Sequence, residues 1–317
     1  MNLRQLNYFT RIVETQNMTR AAEMLHIAQP ALSQQVTSLE EELGVKLLNR
    51  TARGMLATEE GELLYQHARA ILRQVDNTRA LISRKQGLIS GTVSIGMASS
   101  TAKMLALRLI DLLRERHPAI VLEIVDVPSA DLTSMVMQGR VDFALAPDPK
   151  KPKGMRCEPL LIEDLYLFTH PSLRQDSGPV SLEEMALHPL VLPSLPNTLR
   201  SRIEHAFLQR HLPYHLLAEA STSAILIPAV KAGIATTVLP YSAGHEEVQL
   251  GSIAMHPLAF ELSREICLCV SETLPVSVAT REALGLCRRL ARDLVIQGIW
   301  QGCRVIGQSG AHQIPAG

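Results

Sequence analysis

Leu3, Leu6, Phe9, Ile12 and Val13 recur at helical spacing and predict a first amphipathic helix over about 3–15. Asn17 suits the N-cap of a second, short helix with Ala21, Ala22 and Leu25 on its inner face. Two adjacent alanines let two helices approach closely. Pro30 fits the first turn of a third helix, where its missing N–H costs nothing. Leu32, Val36, Leu39 and Leu43 then form one apolar stripe, and Gly44 suits a C-terminal stop, so this helix is expected over 29–43.

A longer pattern follows. Thr58 suits an N-cap, and Glu59, Glu60 and Glu62 in the first turn complement the helix dipole. Leu64, Ala68, Ile71, Val75, Thr78 and Ile82 come at spacings of 4, 3, 4, 3 and 4, the a/d seam of a coiled coil. A helix of about 28 residues spans ~42 Å. That is long for packing on a head that ends near residue 58, so the seam is expected to pair with a second copy rather than only with its own domain. Gly87 and Gly91 mark a hinge.

From Thr92 the period changes. Strands are expected at 93–97, 120–125, 141–146, 165–169, 190–192, 216–219, 235–239 and 265–270. Helices are expected at 99–116, 131–138, 198–210, 223–231 and 280–297. This alternation indicates α/β layers, in two lobes joined by two crossings near Ile162–Glu163 and Cys267–Cys269. The expected organisation is an N-terminal all-α winged helix-turn-helix over 1–58, a linker and dimerisation helix over 59–88, and a C-terminal two-lobed α/β domain over 89–302. Lobe I takes 92–162 and 268–300, lobe II takes 163–267, and 303–317 form a frayed tail.

The outer face of the third helix carries the chemistry. Pro30, Ser33, Gln34 and Thr37 make a second stripe beside Gln29, Gln35 and Ser38, and no acid occurs between 24 and 39. Gln can pair in bidentate fashion with adenine, and Ser or Thr can serve either role at a base edge. A merely solvated face is the competing account, though such faces usually carry Lys and Glu. Lys46, Arg50 and Arg53 then fall in an acid-free window around Gly54, which reads as a two-stranded wing whose cations reach phosphates. Six basic and five acidic residues leave residues 1–58 at about +1, so one head holds DNA weakly and several heads would be needed.

The run from Asn17 to Val36, NMTRAAEMLHIAQPALSQQV, continued by Leu39-Glu40, Leu43-Gly44, Leu47-Leu48, Arg50 and Thr58-Glu59-Glu60-Gly61, resembles the helix-turn-helix signature of LysR-type transcriptional regulators. His26 to Val36, with Tyr65 to Gln74, is most similar to the nitrogen assimilation control branch. Ala28 departs from the pattern, because many members place Ser there as the cap of the recognition helix. The resemblance implies a dimer or tetramer and a periplasmic-binding-protein-like effector domain. Its partners would be double-stranded promoter DNA, a small-molecule effector and, as a candidate, RNA polymerase.

Ligands of open α/β sheets bind at the carboxyl ends of strands, where helix N-termini supply N–H donors. Ser99, Ser100, Thr101, Ser129, Asn197, Thr198, Ser221 and Thr222 fall there, a set that suits a small anion, although each could equally be only a cap. A regulator without effector, controlled by its abundance, and a solute-binding protein without regulatory function stay open as alternatives. Composition adds exclusions. With 46% hydrophobic and 20% charged residues the chain is globular, and 31 basic against 31 acidic residues give no overall charge for or against nucleic acid. The five cysteines include no C-x-x-C, so neither a disulfide framework nor a zinc site is expected. No nucleophile-elbow, phosphate-loop or H-E-x-x-H motif occurs, so no enzyme, cofactor or metal is expected. A start without an apolar leader and the lack of an 18-residue apolar run give a cytoplasmic expectation without membrane contact.

Overall fold

A computed structural model describes residues 1–51, 54–82, 88–174, 176 and 178–306. The head opens with helices α1 (Leu3–Thr15), α2 (Met18–Met24) and α3 (Gln29–Leu43), followed by the antiparallel hairpin β1 (Leu48–Thr51) and β2 (Gly54–Ala57). Local capping sets these boundaries. Asn17 Oδ1 accepts the Arg20 N–H at 3.1 Å, and Gly44 takes a left-handed φ of 72° that ends α3. Leu32, Val36 and Leu39 of α3 meet Phe9 and Ile12 of α1 and Ala21 and Ala22 of α2 in one buried core. The middles of the apolar stripes read along the chain therefore fold inward, while Leu3 and Leu43 at their ends stay exposed.

Helix α4 (Glu59–Ile82) begins as its acids suggest, with the Thr58 hydroxyl accepting the Gly61 N–H at 2.9 Å. Its 24 residues span ~36 Å. The expected seam divides. Leu64 packs on the head core and Ala68 is fully buried within its own chain, because the first turns of α4 lie against α1. Ala68 is thereby closed to a second copy, while Leu64 stays half-buried at the edge of the head. Val75 is half-buried, Ile71 and Thr78 are exposed, and the side chain of Ile82 lies outside the described ones.

Lobe I is built from β3 (Gly91–Met97), α5 (Ser99–Arg116), β4 (Ile120–Asp126), α6 (Ser129–Met137) and β5 (Phe143–Pro147), closed by β11 (Ser263–Ser271) and α11 (Val278–Ile296). Strand β3 runs parallel to β4 and β5, and β11 is antiparallel to β5. One face of this sheet packs on α5 and α11, the other on α6. Lobe II holds α7 (Leu182–Ala186), β7 (Leu190–Pro193), α8 (Thr198–Gln209), β8 (Leu216–Ala220), α9 (Ser223–Lys231), β9 (Thr237–Pro240), α10 (Tyr241–Gln249) and β10 (Ala254–Pro257).

One strand joins the lobes. β6 (Met155–Thr169) pairs with β11 over Met155 to Asp164 and with β9 and β10 from Leu165 onward. Its first ten residues did not read as strand, because Arg156, Glu158, Glu163 and Asp164 interrupt the apolar alternation. The return crossing lies at the start of β11, near Arg264, rather than near Cys267–Cys269. Both of those cysteines are fully buried inside the lobe I sheet, as packing residues. The expected tail is also corrected at its start. β12 (Cys303–Val305) pairs antiparallel with β6 at Glu163, Ile162 and Leu161, which satisfies the edge of β6. Residues 307–317 of that tail lie outside the described residues. No described helix is long and apolar enough to cross a membrane.

Candidate nucleic-acid interface and effector cleft

Helix α3 separates its two faces completely. Leu32, Val36 and Leu39 are buried, while Gln29, Pro30, Gln34 and Thr37 are exposed and Ser33 is half-buried beside them. The N-cap residue Ala28 makes no side-chain hydrogen bond, so the first-turn N–H groups of α3 keep free donors at the end where Gln29 and Pro30 stand. The wing is fixed to the same block. The Met55 N–H donates to the Gln16 carbonyl at 2.8 Å, and Gly54 has a φ of 115° with no room for a side chain, since an added Cβ would meet Gln16 O at 2.3 Å. Arg50 on β1 is exposed and has no ion pair among the described residues, whereas Arg53 lies outside them.

Lys46 is committed differently. Its Nζ donates to Glu40 Oε2 at 2.6 Å, and Glu40 Oε1 accepts the Leu47 and Leu48 N–H groups at 2.8 and 3.2 Å. Burial pushes the Glu40 carboxyl up, but these bonds outweigh it and hold it below the usual carboxylate range. Glu40 is thus the acid that ties α3 to the start of the wing.

The second region lies between the lobes. Ser99, Ser100, Ser129, Asn197, Ser221 and Thr222 converge on one cavity of about 60 Å³. It sits at the N-termini of α5, α6, α8 and α9. Asn197 and Thr222 do cap α8 and α9, whereas α5 and α6 have no side-chain cap. Thr198 borders a wider cavity of about 550 Å³ at the mouth, shared with Ser129 and Asn197. Thr101 departs from the expectation. It is fully buried beneath α5, lines neither cavity, and leaves its hydroxyl without a hydrogen-bond partner among the described residues.

The cleft is closed on itself. Ser99 Oγ donates to Asp126 Oδ1 at 2.7 Å and lies 3.3 Å from Thr222 Oγ1 across the lobes. Lys103 Nζ of α5 donates to the Ala243 carbonyl of α10 at 2.8 Å. At ~15 Å³ per water the inner cavity of about 60 Å³ holds roughly four waters, so it fits an ion or a molecule of a few heavy atoms.

Two polar residues that line this cavity, Arg264 and Ser223, are not legible in the sequence. Arg264 lines the cavity and its Nη2 donates to Ser100 Oγ at 2.8 Å, while its Nε donates to Glu163 Oε2 at 2.8 Å. Glu163 is fully buried and also accepts from Ser242 Oγ at 2.6 Å and Trp300 Nε1 at 2.9 Å. A buried carboxylate held by three hydrogen-bond donors is fixed in place. The available signal was a charge inside each of two apolar strand runs, which must find each other when buried. Ser223, the other missed residue, is a buried hydroxyl on the cavity wall with no hydrogen-bond partner among the described residues.

The model of the bacterial regulatory helix-turn-helix protein, lysR family, matches residues 3–62, and that of the LysR substrate binding domain matches residues 86–292. The chain belongs to the LysR family. It is 38% identical over 244 residues to the nitrogen assimilation regulatory protein nac of Klebsiella aerogenes, which covers 77% of this chain and 79% of that one. It is 31% identical over 254 residues to the transcriptional regulator BbuR of Bordetella bronchiseptica, covering 80% of this chain and 78% of that one. A full-length OxyR variant from Pseudomonas aeruginosa shares the fold with a TM-score of 0.66 at 25% identity, covering 92% and 95% of the two chains. Full-length BenM gives 0.55 at 27% identity, covering 94% and 98%. The chain is therefore a DNA-binding transcriptional regulator of the LysR type with an effector-binding domain, and its similarity runs to the nitrogen assimilation branch.

Membership in the LysR family gives the two regions their roles. The head is the DNA-binding unit and the two-lobed domain the effector unit. It does not assign roles residue by residue. Those rest on the exposed face of α3 and on the closed cavity below Arg264.

Proposed function

We propose that this regulator reads promoter DNA by setting α3 in the major groove, with Gln29, Ser33, Gln34 and Thr37 at base edges and Pro30 close to the backbone. Arg50 and Arg53, three residues apart, hold the backbone or a minor groove. The observation that carries the reading is the division of α3 into one buried apolar face and one exposed face of amides and hydroxyls without an acid. Modest charge per head calls for at least two heads on one site, so the protein acts as a homodimer or homotetramer, with Ile71, Val75 and Thr78 available on α4. The work is binding, not chemistry. Fluorescence anisotropy on the region upstream of its own gene and on a shuffled control tests this. A ratio of ~10³ or more that survives added salt supports it, and equal, steeply salt-dependent affinities contradict it.

The ligand of the effector domain is a small anion. The uncapped N-termini of α5 and α6, the free Ser223 hydroxyl and the Arg264 guanidinium surround a space of the right size. Calorimetric titration with inorganic anions and short carboxylates checks this, and Ser100→Ala should weaken any binding seen. A second reading has its own support. The Ser99–Thr222 and Lys103–Ala243 contacts already close the lobes, as expected of a regulator that needs no effector. Absence of saturable heat with every small anion, together with full DNA binding, would favour it.

A further inference from the structure

Helix α4 offers different faces to different neighbours. Arg69, Ala70 and Arg73 form a face separate from the Ile71, Val75 and Thr78 seam, and this face is turned to lobe I of the same chain. The Arg73 side chain is only 8% exposed. Its Nη1 donates to the Arg140 carbonyl at 3.1 Å and its Nη2 donates to the Gly139 carbonyl. Its Nε lies 3.5 Å from Asp142 Oδ1, and its Nη1 lies 3.7 Å from Glu123 Oε2. One turn earlier Arg69 Nη2 meets Glu123 Oε1 at 2.6 Å. Gly139 has a left-handed φ of 68°, and a Cβ placed there would sit 3.8 Å from the Ala70 Cβ, in ordinary van der Waals contact, so α4 packs directly on the turn.

The anchors matter more than their number. Gly139 and Arg140 follow directly after α6, whose other end, Ser129, lines the cleft cavity. Glu123 is on β4, whose last residue, Asp126, accepts from Ser99 in the cleft. A cation donating to carbonyls at the end of α6 is also well placed on that helix's dipole. Arginine suits the task because its planar fork can hold two carbonyls and two carboxylates at once. Asp142 is further fixed by accepting the Ser94 N–H at 2.8 Å.

We infer that Arg73, with Arg69, is a positioning pair that bolts the linker helix, and through it the DNA-binding head, to the cleft elements α6 and β4 of its own lobe I. The angle of the head is then set by where α6 and β4 sit. Any change at the Ser129 end of α6 reaches the head through one rigid helix and one guanidinium. This goes beyond the DNA and effector readings above and rests on neither the identity nor the presence of a ligand.

Small-angle scattering of the full-length protein, free of DNA, tests the bolt in wild type, Arg73→Ala and Arg73→Lys. Arg73→Ala should shift the radius of gyration and the maximum dimension upward, with Arg73→Lys between the two. Arg79→Ala, on an exposed pair of the same helix, should leave the curve unchanged. Superimposable wild-type and Arg73→Ala curves would overturn the proposal. Should Arg73→Ala fail to fold, a trapping experiment decides. The 3.8 Å between the Ala70 Cβ and the position of a Gly139 Cβ matches the separation in a disulfide. The Ala70→Cys, Gly139→Cys double variant should form an intrachain crosslink under mild oxidation that neither single variant forms. No crosslink, or only a crosslinked dimer, would contradict a bolt within one chain. The anisotropy ratio on target and shuffled DNA keeps the two readings apart. A protein with the bolt but no sequence preference fails the DNA reading alone, and one with preference but no bolt fails this inference alone.

Discussion

The head and the effector cleft solve opposite problems. In the head, the proposed DNA-reading atoms sit on one helix within nine residues, from Gln29 to Thr37, and their positions follow from where α3 starts and which face it buries. In the cleft, the proposed ligand-facing atoms come from positions as far apart as Ser99 and Arg264, and only the closure of two lobes brings them together. A site on one rigid element tolerates change in the rest of the molecule. A site at a junction is as stable as the junction. The contrast shows where polar groups can be removed at the cost of recognition alone, and where their removal costs the fold.

Glu163 should break the comparison most severely. Glu163→Ala leaves Arg264 buried without its counter-charge and Trp300 Nε1 and Ser242 Oγ without an acceptor. Breaking a buried pair in this way costs about 3–5 kcal/mol. The effector-domain melting transition of the full-length protein should fall by many degrees in calorimetry, with the transition of the head unmoved. Gly54→Ala should do the reverse. Its Cβ would collide with Gln16 O and require a left-handed φ, a strain of about 1–3 kcal/mol. Circular dichroism of the head should show the loss, with the effector-domain transition unmoved.

Recognition changes come next and should leave both transitions alone. Gln34→Ala should lower the ratio of target to shuffled affinity by about 1–3 kcal/mol, with thermal melting unchanged. Arg50→Ala should weaken both DNAs alike and reduce the slope of log affinity against log salt by about 1. A loss confined to the target DNA would show that Arg50 reads bases instead.

Acid should distinguish the regions more gently. The Glu40 carboxyl lies below its ordinary value in the folded head. Its contribution is present above the unfolded carboxylate range and is lost as pH falls through the folded value. The head should therefore lose stability on acidification below about pH 4.5, with Glu40→Gln flattening that fall by about 1 kcal/mol. An identical pH profile in the variant would show that the Leu47 and Leu48 N–H bonds do not depend on charge.

How much could be read along the chain follows the same contrast. The helices of the head, the start of α4 at Thr58, the α5, α6 and α8 spans and the cap residues Asn17, Asn197 and Thr222 were legible, because stripe, cap and stop signals are local. The long strand β6 was not legible over 155–164. Its carboxylates Glu158, Glu163 and Asp164 pair with Arg288, Arg264 and Arg304 on α11, β11 and β12, which sequence order does not reveal. Thr101 was misplaced by one helical step. Ser99 and Ser100 face the cavity, while Thr101 turns under the helix, a difference of about 100° per residue that a cluster of hydroxyls cannot announce. Heptad spacing does not say which partner fills the holes, and at Ala68 the chain fills its own.

In the proposed reading the exposed face of α3 reads DNA sequence. The most direct test is the affinity of wild type and Gln34→Ala for the region upstream of the gene and for its shuffled control, by anisotropy across a salt series. The account predicts a wild-type preference of ~10³-fold or more that persists with salt and falls about tenfold or more in the variant. A wild-type protein that binds both DNAs equally, with affinity that collapses as salt rises, would contradict it.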